Sequence, residues 1–396
     1  MESLSAISGM RSTPSIPQLD LFGIGGTQRA YGIETSPEID VVLGRAAPVF
    51  IGVSGGRDSM ALAYRVSDHL QEVGHAGPRF LIHSDLGRVE WRESLPVCER
   101  LASRLGIELI VVRRQAGDMM DRWLNRWKNN VARYKVLECV KLILPWSTPT
   151  SRFCSGELKG QVLASAMRKR FPTGDVVSAV GIRRDESSSR AKMPVWKQDY
   201  RTMRKRGVGH TWNPILGWTR QEVNAYIKSK GDQLHPAYTI YGSSRVSCSY
   251  CIMSSLNDLV AAASCSDNEA IYREMVDLEI ESTFSFQGNR WLGDVAPALL
   301  DADTKGRLAE AKERAAARQA AEAHLAEHLL FKKGWPTAMP SEHEAHTIAW
   351  VRREVASAVG LTVQFTDADT VMQRYAELMA SAREKASVGG FELEEA

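Results

Sequence analysis

The feature that most constrains this chain is a six-residue run, Ser54-Gly55-Gly56-Arg57-Asp58-Ser59, set between an apolar segment and a helical pattern. Val49-Phe50-Ile51-Gly52-Val53 reads as a short buried strand. From Asp58 to about Glu72, Met60, Leu62, Ala63, Val66 and Leu70 recur on one helical face. Two glycines let a backbone approach an anion closely, Ser54 and Ser59 add hydroxyls, and the helix that follows offers free N–H groups and its positive dipole end. The run therefore predicts a phosphate cradle. Its spacing and its lack of a lysine exclude the G-x-x-x-x-G-K-[ST] loop, and it is not G-x-G-x-x-G. The plainer alternative is a tight strand-to-helix turn capped by Asp58.

Further strands are expected at Phe80–His83, Glu108–Val112 and Asp175–Ile182, with a helix from Trp91 to Leu105. Strands alternating with helices predict an α/β fold with a doubly wound, mainly parallel sheet over roughly residues 41–255. Residues 1–40 read as a weakly ordered leader, and residues 256–396 as a helical accessory region. Lys305–Leu330, rich in alanine and charge, predicts a long surface helix, and Leu361–Phe365 a single strand. No internal repeat is visible.

Composition narrows the compartment and the partners. Apolar runs such as Leu109-Ile110-Val111-Val112 are too short to cross a bilayer, and residues 1–18 lack the apolar core of a secretory leader. Six cysteines in 396 residues are too few for a disulfide scaffold, which makes the cytoplasm the expected location. The net charge of +3 excludes a histone-like polycation. That average hides residues 183–206, where nine Lys/Arg face three acids with Trp196 and Tyr200 interleaved. Such a stretch suits a polyanion, including a nucleic acid, or is a solvated loop. Cys248 and Cys251 form a C-x-x-C, a metal half-site or redox pair. Cys98, Cys139 and Cys265 fall at core spacings, and His83 and His235 read as structural.

Ser54–Ser59 resembles the SGGxDS loop of the PP-loop ATP pyrophosphatases, and the wider text resembles their phosphoadenosine-phosphosulfate (PAPS) reductase-like branch, which includes DNA-phosphorothioation sulfurtransferases. His83-Ser84-Asp85-Leu86-Gly87-Arg88-Val89-Glu90 is similar to the branch's H-x-D-T-G-x-E signature. Arg152-Phe153-Cys154 with Leu158-Lys159 is similar to its R-x-C…L-K segment, and Gly181-Ile182-Arg183 through Ser187 with Arg190 to its G-x-R-x-x-E-S…R segment. Asn213-Pro214-Ile215, His235-Pro236-Ala237-Tyr238 and Cys248-Ser249-Tyr250-Cys251 continue the series.

The resemblance implies an adenine nucleotide alpha hydrolase-like, Rossmann-like fold. It also implies an enzyme that binds ATP and Mg²⁺, releases pyrophosphate and adenylylates a substrate for sulfur transfer to a nucleic acid. Asp58, Lys159 and Arg183 would act in the chemistry. Ser54, Gly55, Gly56, Arg57, Ser59, Asp85, Arg152 and Arg190 would hold the nucleotide. Cys154, Cys248 and Cys251 would ligate a [4Fe–4S] cluster with one open iron, or Zn²⁺, or would simply be packed thiols. A sulfur-donor protein such as a cysteine desulfurase is the implied partner. Two other readings stay open: a reductase of PAPS or adenylyl sulfate, and a non-catalytic nucleotide-binding subunit of a DNA-modification or defence complex. The intact loop, and the lack of any cysteine after Cys265, favour ATP chemistry over the reductase.

Overall fold

The computed structural model describes residues 31–203, 206–332 and 334–389, with side chains as far as residue 383. The first thirty residues of the expected leader lie outside the described residues, as do residues 204 and 205 of the basic stretch. The remainder of the expected leader is packed: the Tyr31 ring lies tilted against Trp218 and Tyr226, and a helix runs from Pro37 to Gly44.

Six strands form one sheet: β1 (Val49–Gly52), β2 (Arg79–Asp85), β3 (Leu109–Arg113), β4 (Val176–Ala179), β5 (Trp196–Gln198) and β6 (Gly209–Trp212). Their order is β3-β2-β1-β4-β6-β5, all parallel except the β5–β6 pair. The chain winds from β1 outward to β3, then returns to the other side of β1. That reversal opens a crevice beyond the carboxyl ends of β1 and β4, where open α/β sheets bind ligands.

Both faces are covered, as a parallel sheet requires. On one face Ile51, Leu81 and Val177 pack with the helices Arg57–Glu72, Ser94–Leu105 and Arg220–Ser229. On the other, Phe50, Phe80, Ile82 and Val176 close over Met167 of the helix Gln161–Arg170. A second core joins Trp123, Trp127 and Trp146 to Met275, Ile348 and Tyr375, so the helices after residue 256 pack on the helix Met119–Lys135 and the segment after it.

Two expectations change. The long helix spans Ala302–Glu322 and is no mere surface element, since Leu308, Ala311, Ala315 and Arg318 bury one face. Leu361–Phe365 forms no strand; the buried Arg352 guanidinium binds the carbonyls of Gln364 and Phe365, and Phe365 takes a φ of +59° that breaks any strand.

Candidate nucleotide cleft

The Ser54–Ser59 run leaves β1 and enters the helix Arg57–Glu72 with its turn closed by its own hydroxyls. Ser59 Oγ donates to the Gly56 carbonyl at 2.8 Å and accepts from the Ser54 N–H at 3.1 Å. Gly55 needs a left-handed φ of +72°, and a Cβ there would stand 3.1 Å from the Ser94 backbone and 3.2 Å from the His235 ring. Only glycine fits. A Cβ on Gly181 would lie 2.9 Å from the Asp58 carbonyl, so the loop helix and the chain after β4 meet backbone to backbone. N–H groups in the first turn of the loop helix lack intrahelical partners and point outward at its positive end.

Three aromatic and imidazole groups brace this cradle. Tyr238 accepts from the Arg57 N–H at 3.2 Å and the Val246 N–H at 3.1 Å, while the Arg57 guanidinium lies 3.8 Å over its ring. Arg57 also donates to the Ser244 carbonyl, tying the segment after Tyr238 to the loop. His235, fully buried, accepts from the Ala237 N–H at 2.9 Å, and burial lowers its pKa to about 4. It is neutral and structural.

His83 joins the loop to an acid. Its Nδ1 lies 3.1 Å from the Val53 carbonyl and its Nε2 3.4 Å from Glu90 Oε2. Burial works to discharge it, but the contacts with Cys98 and Glu90 outweigh burial and lift its pKa to about 10. The folded protein therefore holds one more proton than the unfolded chain between the ordinary value of 6.5 and about 10. Stability from this group is fully present below 6.5 and fades as pH rises through that window. His83→Gln is expected to flatten the fall in melting temperature between pH 6.5 and 10; an unchanged slope would exclude a charged His83.

The loop forms part of the floor of a cleft of about 1140 Å³, lined by nine cationic and five acidic side chains. Several of the cations are locally neutralised. Arg183, 4% exposed, donates from Nε to Asp58 Oδ1 at 2.5 Å and also pairs with Asp185. Arg190 pairs with Glu186 at 2.6 Å, and Arg201 with Asp199 at 2.9 Å. Among the described residues Arg152, Lys159, Lys197, Arg220 and Arg245 have no carboxylate partner, which leaves the cleft electropositive. Lys159 sits on a π-helical turn, Gly156–Gly160, that leads into the helix Gln161–Arg170. Leu163 and Met167 of that helix, with Leu86, give the cleft an apolar side.

Of the residues expected to serve the site, Ser54, Gly56, Arg57, Asp58, Ser59, Arg152, Lys159, Arg183 and Arg190 line this one cleft. Gly55 shapes the loop from behind. Asp85 is placed elsewhere: its carboxylate accepts from the Gly87 N–H at 2.7 Å and Arg113 Nε at 3.1 Å, and it is not among the lining residues. The acid from that segment which does line the cleft is Glu90, to which the sequence assigned no role, as it assigned none to Tyr238 and Arg245.

The three cysteines are neighbours without forming a ligand set. Cys248, Cys251 and Cys154 lie near enough for their charges to interact. Burial, then the neighbouring Cys251, pushes the Cys248 thiol up to about 12. Cys154 and Cys248 pack against the helical core, and among the described residues no three His, Cys, Asp or Glu side chains are grouped to hold a metal ion. As arranged, the trio does not fit the three-thiolate cluster or zinc site expected from the resemblance.

Several known proteins are similar to this chain. A curated relative, the uncharacterized 37.8 kDa protein in gpa 5′ region of Escherichia phage 186, is 27% identical over 241 residues, covering 53% of this chain and 68% of its own. Among solved structures, the phosphoadenylyl-sulfate (PAPS) reductase of Candida auris in its phosphate complex aligns over 55% of this chain and 97% of its own at 13% identity, with a TM-score of 0.34. The U34-tRNA thiolase NcsA of Methanococcus maripaludis, with its [4Fe-4S] cluster, aligns over 60% and 76% at 14% identity, with a TM-score of 0.27. No helix among the described residues is long and apolar enough to cross a membrane. The model of the phosphoadenosine phosphosulfate reductase domain matches residues 48–253, over half of the chain, and the protein belongs to that family.

Proposed function

We propose that this family member is an ATP-dependent enzyme that releases pyrophosphate and adenylylates a nucleic-acid substrate for sulfur transfer. The observation that carries the reading is the complete phosphate cradle opening into a cleft whose unpaired cations, Arg152, Lys159, Lys197, Arg220 and Arg245, surpass what a single small anion needs. The loop N–H groups would grip the β- and γ-phosphates. A substrate oxygen then attacks the α-phosphorus as the bond to the β-phosphate bridge breaks, and donors fixed in advance stabilise the departing pyrophosphate. Lys159 and Arg152 would neutralise the remaining phosphate charge. Asp58 lines the cleft with one carboxylate oxygen on Arg183, leaving the other for Mg²⁺, which would supply further charge neutralisation.

The acceptor is read as a nucleic acid because the cleft rim carries exposed cations beside Tyr200, 74% exposed, a ring open for base stacking. The terminal sulfur of a donor protein's cysteine persulfide, such as a cysteine desulfurase carries, would then displace AMP. A second thiol would cleave the resulting S–S bond, leaving the sulfur on the substrate and becoming disulfide-bonded to the donor cysteine. No step runs through a metal cluster, because the cysteines are not arranged for one.

Incubation of the protein with ATP, Mg²⁺ and single-stranded DNA or RNA is expected to release pyrophosphate, faster with the nucleic acid than without. Sulfite formed from PAPS and a thiol donor, with no pyrophosphate under any condition, would replace this reading with the reductase.

A further inference from the structure

Away from the loop, the cleft floor carries a polar row. Ser178 of β4 pairs in register with Thr211 of β6, which pairs with Lys197 of β5. Residues at one register level share a face of the sheet, so the three stand in line, and all three line the cleft. Asn213, two residues beyond Thr211, lines it as well.

These groups are built in and unsatisfied. Thr211 is 6% exposed and Asn213 1%. Asn213 Nδ2 donates to the Pro194 carbonyl at 2.8 Å, yet among the described residues its Oδ1 and Thr211 Oγ1 have no partner. Buried polar atoms are rarely left so, and here both belong to residues that line one cavity.

The row is set apart from the loop. β6 lies two strands from β1, ~10 Å at ~4.8 Å per strand. Ser178 pairs with Phe50, well before the loop begins at Ser54. The separation is on the order of 10–15 Å, and a cleft of about 1140 Å³ exceeds the ~300–1,000 Å³ usual for one small ligand.

Donor chemistry specifies the occupant. An unpaired ammonium beside two hydroxyls suits phosphate oxygens, while Asn213 Oδ1 can only accept and needs an N–H or O–H. A bare anion would leave that acceptor unpaired; a nucleotide, with phosphate beside sugar hydroxyls or a base amine, satisfies both. We propose that Ser178, Thr211, Lys197 and Asn213 form a second nucleotide subsite, which receives one unit of the acceptor strand while ATP occupies the loop. The assignment of ATP to the loop rests on the function proposed above. Tyr200 and Arg201 follow Lys197 closely, and Arg168 bonds to the Arg201 carbonyl, so a strand leaving the subsite meets an aromatic face flanked by cations.

Calorimetric titration of the full chain tests both sites separately. A non-hydrolysable ATP analogue is titrated first; then 5′-phosphorylated thymidine and uridine dinucleotides are titrated into the analogue-saturated protein. At least one dinucleotide is expected to bind, and Thr211→Val, which keeps shape, and Lys197→Met, at an exposed side chain, are each expected to weaken it about tenfold. Analogue affinity should stay within twofold. Absence of dinucleotide binding, unchanged binding in both variants, or an equal loss of analogue affinity would overturn the subsite. Dinucleotide binding that depends on Thr211 and Lys197 without analogue binding would leave the subsite standing and defeat the loop reading.

Discussion

Arg183→Met is expected to lower ATP-dependent pyrophosphate release by about 100-fold or more, the scale of removing one preorganised donor from a charge-stabilising site. Arg183 is almost wholly enclosed, and its guanidinium spans Asp58, in the first turn of the loop helix, and Asp185, on the segment after β4. Methionine keeps the length and the packing but strands Asp58 without its cation. The loop helix then loses the pairing that fixes its carboxylate relative to the cleft. Arg183→Lys keeps the charge, yet one ammonium cannot reproduce a fork that reaches two carboxylates, so an intermediate loss is expected. Steady-state measurement of kcat and KM for ATP, with melting temperatures for both variants, separates the chemistry from folding. Release by Arg183→Met within about threefold of wild type, at unchanged melting temperature, would remove Arg183 from the site.

The parts of the site legible in the sequence were those written in contiguous residues. Ser54–Ser59 carries its turn, its hydroxyls and its helix start within six positions, and each does locally what the pattern implies. β6 was not legible, because a strand reading Gly-His-Thr-Trp puts two polar residues, His210 and Thr211, at buried positions where an apolar run is the usual signal. With β6 unseen, its three-residue antiparallel edge partner β5 was invisible too, and so was the row that joins them.

Charge shows the same limit. The net excess of cations in residues 183–206 overstates the field there, since Arg183, Arg190 and Arg201 meet acids within or beside the stretch, and Arg184 meets Glu34. Unpaired cations such as Arg152, Lys159 and Arg245 come from distant segments that only the fold brings together. Asp85 and Glu90 exchange places for a similar reason. Five residues apart, they are separated by a tight turn at Gly87, whose φ of +73° leaves Asp85 to cap the turn while Glu90 returns to the cleft.

The largest effect on stability is expected far from the cleft, at Arg318. Its side chain, 1% exposed, donates to Glu322 at 2.8 Å and to the hydroxyl and carbonyl of Thr283 at 3.0 Å, while lying 3.7 Å over the Phe284 ring. Thr283 ends its helix at a φ of +57°, an unfavourable place for a β-branched residue, and the guanidinium fastens it there. Arg318→Met would leave the buried Glu322 carboxylate with the Leu142 backbone N–H and a single cation, Lys141, 3.6 Å away, at a cost of about 3–5 kcal/mol in urea unfolding. Burial already holds the Glu322 carboxyl above its ordinary range, and loss of the arginine raises it further. The folded variant then binds a proton more readily than the unfolded chain, so its deficit is full above the folded pKa and shrinks as pH falls toward the ordinary value. Removing both charges, as Arg318→Met with Glu322→Leu, should recover at least half of the loss, because two apolar groups of similar volume desolvate without penalty. A single variant that loses less than about 1 kcal/mol, or a double variant no better than the single, would show that the pair is not what holds the helix Ala302–Glu322 against the core.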